Sequence, residues 1–298
     1  MKKQNTLEKL FSRLNKEKIE YCIRGSYKHL PKKVKKGDVD ILITKKDLKR
    51  IDKIVRELGF LFYPHTEPNL FYYYHDLELG LIQLDILVKQ KMVPVKKYRG
   101  FFIPKDEKPI RNEKGFLQKI PTFSKRKLKY LFSGKLFCVV GPDGSGKTTH
   151  RDEIYRALRK FPLKKQKIHF GTDKGFFLRV FDRLFKLAKT YRNKFSGKIT
   201  ITDRYIYLTF RKANPFLVRL LRMFSPKPSI VFVIQTPYEI IKKRKQGQRD
   251  LLKEKTVKEL YEVFSKIKGV KKVHIDSTKP IKENVHREAN IILKEILA

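Results

Sequence analysis

The sequence predicts an α/β protein of two domains, a small α/β unit followed by a larger one whose parallel sheet is covered by helices. Three observations carry this. The 298 residues are enough for two cores of ordinary size. Short β-branched apolar runs alternate with helix-periodic stretches along the chain. PTFSKRKLKYLFSG, at 121–134, collects basic residues, Pro, Ser and Gly without alternation and ends where a glycine-rich strand begins, which divides the chain into 1–120, a linker 121–134 and 135–298.

In chain order, MKKQNTLEKLFSRL reads as a charged amphipathic helix with no apolar core of signal-peptide length. EYCIRG (20–25), DVDILI (38–43) and LGLIQLDILV (79–88) read as strands, and LKRIDKIVRELGF (48–60) as a helix between them. In the second domain, LFCVV, KIHF, KITITD, SIVFVI and KKVHID read as strands alternating with long helical patterns, the arrangement of a parallel sheet with both faces covered. No apolar stretch reaches 18 residues, so no membrane partner is expected. Cys22 and Cys138 lie inside apolar runs and are expected as buried, reduced core residues, which places the chain in the cytoplasm.

The 71 Lys and Arg against 30 Asp and Glu give a formal charge of +41. The excess is spread over both parts, with 32 basic against 15 acidic residues before Lys135 and 39 against 15 from it onward. Anionic partners are expected. RNA or DNA fits such a charge, and a Lys-rich thermophilic composition accounts for it equally.

The most specific signal is GPDGSGKT, Gly141 to Thr148, which fits G-x-x-x-x-G-K-[ST] directly after a strand and before a helix. Glycines let the backbone turn tightly, so that its N–H groups and the following helix N-terminus point at phosphates. Lys147 is then placed to reach phosphate oxygens and Thr148 to bind Mg²⁺. Gly141, Asp143, Gly144, Ser145, Gly146, Lys147, Thr148 and Thr149 form the candidate ATP-binding set. KITITDRYIY ends an apolar strand with Asp203 and Arg204, where open α/β sheets bind ligands, and this pair suits Mg²⁺ plus a phosphate.

The P-loop with its acid at Asp143, then Asp203-Arg204-Tyr205, then PKPSIVFVIQTPYEIIKKRKQGQRD, resembles the thymidylate kinase family over roughly 135–298. The resemblance implies that Asp203 and Arg204 lie at the acceptor phosphate and that KRKQGQRD is a basic lid. It nominates Arg244 and Arg249 as lid arginines that neutralise the transferring phosphoryl group. It also implies that Asp143 contacts the acceptor sugar and that HIDSTKP (274–280) packs near adenine. Two departures stand out. KIHFGTDKGFF (167–177) replaces the Arg-Glu-Pro stretch that often holds the nucleotide acceptor, which leaves the acceptor open, and Gln235 stands where the strand before the lid commonly ends in Asp.

In the first domain, RGSYKHLPKKVKKGDVDILI (24–43) joins a Gly-Ser turn to Asp38 and Asp40, which share a face of an extended strand, and LDIL supplies Asp85. Three convergent carboxylates suit divalent metals. The arrangement resembles the nucleotidyltransferase superfamily over about 5–115, which implies that the turn holds triphosphate and the three acids hold two metals. The leading expectation for the whole chain is ATP-dependent, Mg²⁺-assisted phosphoryl transfer to a nucleotide or another phosphorylated small molecule. The alternatives are a polynucleotide-end kinase and a nucleotide-regulated RNA-binding protein.

Overall fold

The computed structural model describes residues 4–25, 27–34, 38–63, 70–105, 134–171, 176–205, 223–247 and 251–297. The linker predicted at 121–134 therefore lies, except for its last residue, outside the described residues. The chain divides into two compact units, Met1–Ser124 with Ala289–Ala298, and Lys125–Glu288. Both are α/β.

The first unit begins with helix α1 (Thr6–Lys16), whose start is fixed by a capping box: Asn5 Oδ1 accepts from the Glu8 N–H at 2.9 Å, and Glu8 Oε2 accepts from the Asn5 N–H at 3.1 Å. Strands β1 (Tyr21–Arg24) and β2 (Asp38–Thr44), helix α2 (Leu48–Glu57), and strands β3 (Leu61–Tyr63), β4 (Leu70–Asp76) and β5 (Gly80–Lys89) follow. The sheet order is β1-β2-β5-β4-β3, with β2 parallel to β5 and the other pairs antiparallel. Leu7, Leu10, Phe11 and Leu14 of α1 and Ile51, Ile54 and Val55 of α2 share one core with Ile41, Ile43, Leu84 and Ile86 of the sheet. Strands β6 (Val95–Tyr98) and β7 (Phe101–Pro104) form a separate ribbon.

Asp76, buried at the end of β4, ties that strand to the start of α1. It accepts from the N–H groups of Thr6 (3.1 Å), Glu78 (2.8 Å) and Leu79 (2.9 Å). Burial pushes its carboxyl up, but these donors and the Thr6 hydroxyl more than offset that and hold it below the ordinary carboxylate value. Its stabilisation is therefore full above that ordinary value of 3.8 and is lost as pH falls through the depressed folded one. Asp76→Ala leaves three part-buried N–H donors without their acceptor and is expected to cost about 1–3 kcal/mol near neutral pH. Urea denaturation should show a lower midpoint at pH 7 and a deficit that shrinks in acid.

The second unit carries β8 (Leu136–Val140), helix α3 (Lys147–Ala157), β9 (Lys165–His169), helix α4 (Phe176–Phe195), β10 (Ile199–Asp203), β11 (Ile230–Gln235), helices α5 (Tyr238–Arg244) and α6 (Glu254–Ser265), and β12 (Lys271–Asp276). Helix α7 (Ile281–Leu297) closes the chain. The five strands are ordered β12-β11-β8-β10-β9, and every pair is parallel. Each residue of β8 and β10 is buried, as in strands covered on both faces. Central β8 thus delivers the loop that follows it to the carboxyl edge of the sheet, between β11 and β10.

Cys22 and Cys138 are buried and free, and burial pushes their thiols up to about 11 and about 12. Among the described residues, no helix is long and apolar enough to cross a membrane.

Candidate active site

The site grows from the turn after β8. Gly146 caps α3 with φ +93°, a left-handed conformation that lets the chain close the turn and begin the helix at Lys147. The Lys147 side chain is only 5 % exposed and folds back over the loop, its Nζ donating to the Pro142 carbonyl at 2.8 Å and to Asp143 Oδ1 at 3.0 Å. Burial lowers its pKa, against the opposing pull of Asp143. Asp143 Oδ1 also accepts from Arg204 Nη2, so one carboxylate is shared by two cations.

Asp203, fully buried at the end of β10, accepts from Thr148 Oγ1 at 2.7 Å and meets His169 Nδ1 at 3.1 Å, with Arg151 Nη1 at 3.8 Å. Burial pushes the carboxyl up; the hydrogen bonds from His169 and Thr148 and the charge of Lys147 outweigh it and hold the group below the ordinary range. Asp203 Oδ1 and Ser145 Oγ are buried without a hydrogen-bond partner among the described residues. Arg204, immediately after, has φ +57°, an uncommon conformation for a residue with a side chain.

Arg244, at the end of α5, donates through Nη1 to the Gly144 carbonyl at 3.2 Å. A cleft of about 600 Å³ gathers Asp143, Gly144, Ser145, Gly146, Lys147, Thr148 and Thr149 with Arg204, Arg244, Lys245, Ser277 and Lys279. The loop after β12 enters through bonds the sequence does not announce: Ser277 Oγ donates to Thr236 Oγ1 at 2.7 Å, and Thr236 Oγ1 to the Ser145 carbonyl at 3.1 Å. Gln235 ends β11 and is exposed. Arg249 lies outside the described residues.

Sequence reasoning missed Arg151, His169 and Thr236. Arg151 is three residues after Thr148 on α3, on the same face of the helix, which is a readable signal. His169 and Thr236 reach the site only because β9 and β11 flank the strands that carry Asp203 and the loop.

In the first unit, Asp40 and Asp85 are direct partners across the parallel β2–β5 pair, and Arg24 faces Asp40 from β1. Asp38 is exposed beside them. Burial raises the Asp40 pKa, Asp38 raises it further, and Arg24 opposes both. A Cβ on Gly25 would lie 3.3 Å from Asp40 Oδ2, which seats that turn against the acids; Ser26 lies outside the described residues. No group of three or more His, Cys, Asp or Glu among the described residues is arranged to hold a metal. Asp38 and Asp40 thus lie at the start of β2, with Asp85 in the middle of β5 opposite Asp40.

No model of a known protein family matches the chain, and no curated protein matches it.

Proposed function

We propose that the second unit is an ATP-dependent, Mg²⁺-requiring phosphotransferase of thymidylate kinase type that acts on a nucleotide or a nucleotide-like phosphate. The observation that carries this is the convergence of Lys147, Thr148, Arg204 and Arg244 on one cleft built around GPDGSGKT. A Gly-rich turn without a ligand has no need of a buried lysine, two arginines and a buried carboxylate around it.

The chemistry follows from the residues. Lys147 exchanges the Pro142 carbonyl and Asp143 for phosphate oxygens, and the positive charge it brings lies where negative charge develops. Asp143 keeps Arg204 when Lys147 leaves it, so the carboxylate is never stranded. Arg204 and Arg244, both at the cleft, offset charge on the acceptor and on the transferring group. Thr148 Oγ1 and Asp203 Oδ1, which has no hydrogen-bond partner among the described residues, fit the hard oxygen donors that Mg²⁺ prefers. Mg²⁺, when bound with ATP, supplies charge neutralisation between the phosphates.

The test is labelled ATP with the whole chain against nucleoside monophosphates, sugar phosphates and 5′-hydroxyl RNA. Transfer to a mononucleotide or another small phosphorylated acceptor is expected. Labelling of 5′-hydroxyl RNA alone would replace this reading with a polynucleotide kinase, and ATP binding without transfer to any acceptor would replace it with a nucleotide-regulated binding protein.

The first unit supports a second reading, a divalent-cation site of nucleotidyltransferase type, because Asp40 faces Asp85 in register and feels the charge of Asp38. Asp38→Asn with Asp40→Asn in the full chain should weaken nucleotide-free Mn²⁺ binding in calorimetry by at least about tenfold, because the ligand charge is gone. Equal affinity in the variant and the wild type removes the reading.

A further inference from the structure

His169 and Asp203 end neighbouring parallel strands and are direct register partners, so their side chains leave the same face of the sheet at its carboxyl edge. The backbone around them is stapled. The Phe170 N–H donates to the Asp203 carbonyl at 3.0 Å, and the buried Phe170 ring meets Tyr205 edge-on at 5.1 Å. Gly171 then turns the chain close over the imidazole: a Cβ there would lie 2.3 Å from His169 Nε2 and 2.9 Å from Cε1. The ring occupies the space that a side chain at 171 would need.

The direction of the His169–Asp203 bond follows from the acceptor. An ionised carboxylate only accepts, so the proton sits on His169 Nδ1. That holds for the neutral ring as for the charged one, and the contact needs no change of protonation. Asp203 Oδ2 thus takes two donors, Thr148 Oγ1 at 2.7 Å and His169 Nδ1 at 3.1 Å, while Oδ1 has none among the described residues. A carboxylate turns about a broad, two-fold torsion and exchanges its oxygens readily unless its donors hold it.

We infer that His169, seated by Gly171, is a positioning residue whose Nδ1–H holds the Asp203 carboxylate so that Oδ1 stays uncommitted for the divalent cation that accompanies the nucleotide. The inference rests on the phosphotransferase reading above and adds to it a residue within KIHFGTDKGFF, the stretch in which the chain departs from the family it resembles. Partners that orient a metal ligand from behind typically matter by about 10- to 100-fold in metal affinity. His169 is 45 % exposed on its side chain, so an apolar replacement is tolerated by the fold.

The experiment is calorimetric titration of ADP into the full-length protein at a series of Mg²⁺ concentrations, with wild type, His169→Leu, His169→Asn and Gly171→Ala. Leu carries no donor. The Asn amide nitrogen falls near the position of the imidazole Nδ1 and still donates. His169→Leu should raise the Mg²⁺ concentration for half-maximal ADP binding by about 10- to 100-fold, with metal-free ADP affinity unchanged. His169→Asn should restore most of the loss, and Gly171→Ala, which pushes the ring off its seat, should share the defect of His169→Leu. Wild-type Mg²⁺ dependence in His169→Leu, or an Asn variant as defective as the Leu variant, overturns the inference alone. A wild-type protein that binds no ADP at any Mg²⁺ concentration overturns the phosphotransferase reading and the inference with it.

Discussion

On the phosphotransferase reading, Lys147→Ala is expected to lower ATP-dependent phosphoryl transfer by at least about 10²- to 10³-fold, the effect of deleting one preorganised charge from a closed site, and to leave the fold intact. The second half of that expectation is specific to this geometry. The ammonium is buried, and burial disfavours its charged form, so at neutral pH the folded chain carries a desolvation cost that the alanine variant does not. What the variant forfeits is a hydrogen bond to the Pro142 carbonyl and one of two cations on Asp143, and Arg204 remains to hold that carboxylate. Thermal unfolding should therefore move by no more than a few degrees while turnover collapses. Turnover at the wild-type rate would remove the P-loop as the reacting site; loss of the folded baseline would show that Lys147 is structural.

Asp203→Asn is the second large effect, about 10²-fold or more in turnover, with a shifted Mg²⁺ requirement. The substitution keeps the shape and one acceptor oxygen, so Thr148 Oγ1 retains a partner, and it removes a negative charge that His169, Arg151 and Lys147 share at the end of β10. Mg²⁺ titration of turnover checks the role. Full recovery at high Mg²⁺ is expected if the loss is one of cation affinity, and an unchanged Mg²⁺ dependence would contradict the assignment.

Much of this site was legible before the fold. GPDGSGKT is contiguous, and its conformation is dictated by glycines and a helix start within eight residues, so the turn is readable from the string alone. Asp203 was readable because an apolar run that ends in a polar pair marks the carboxyl edge of a buried strand. The parallel sheet was readable from five apolar runs separated by helical periods, each now a strand at that place. The aromatic strand β4 (LFYYYHD) and short β3 were not: successive aromatics give no alternation, and Tyr72 and Tyr73 are both buried although adjacent residues face opposite sides.

The sequence by itself determined the residues that meet through the backbone: the glycine-rich turn, the lysine and threonine that open α3, and the acid–arginine pair at the end of β10. Only the tertiary structure decided which distant groups join them. Strand order β12-β11-β8-β10-β9 brings His169 to Asp203 and Thr236 with Ser277 to the P-loop, and the β2–β5 register sets Asp40 opposite Asp85. The physical reason is that propensity and hydrophobic period act over a few residues, whereas neighbours in a parallel sheet are selected by how whole strands and their crossover helices bury apolar surface together, a choice made across the full unit and written in no single segment.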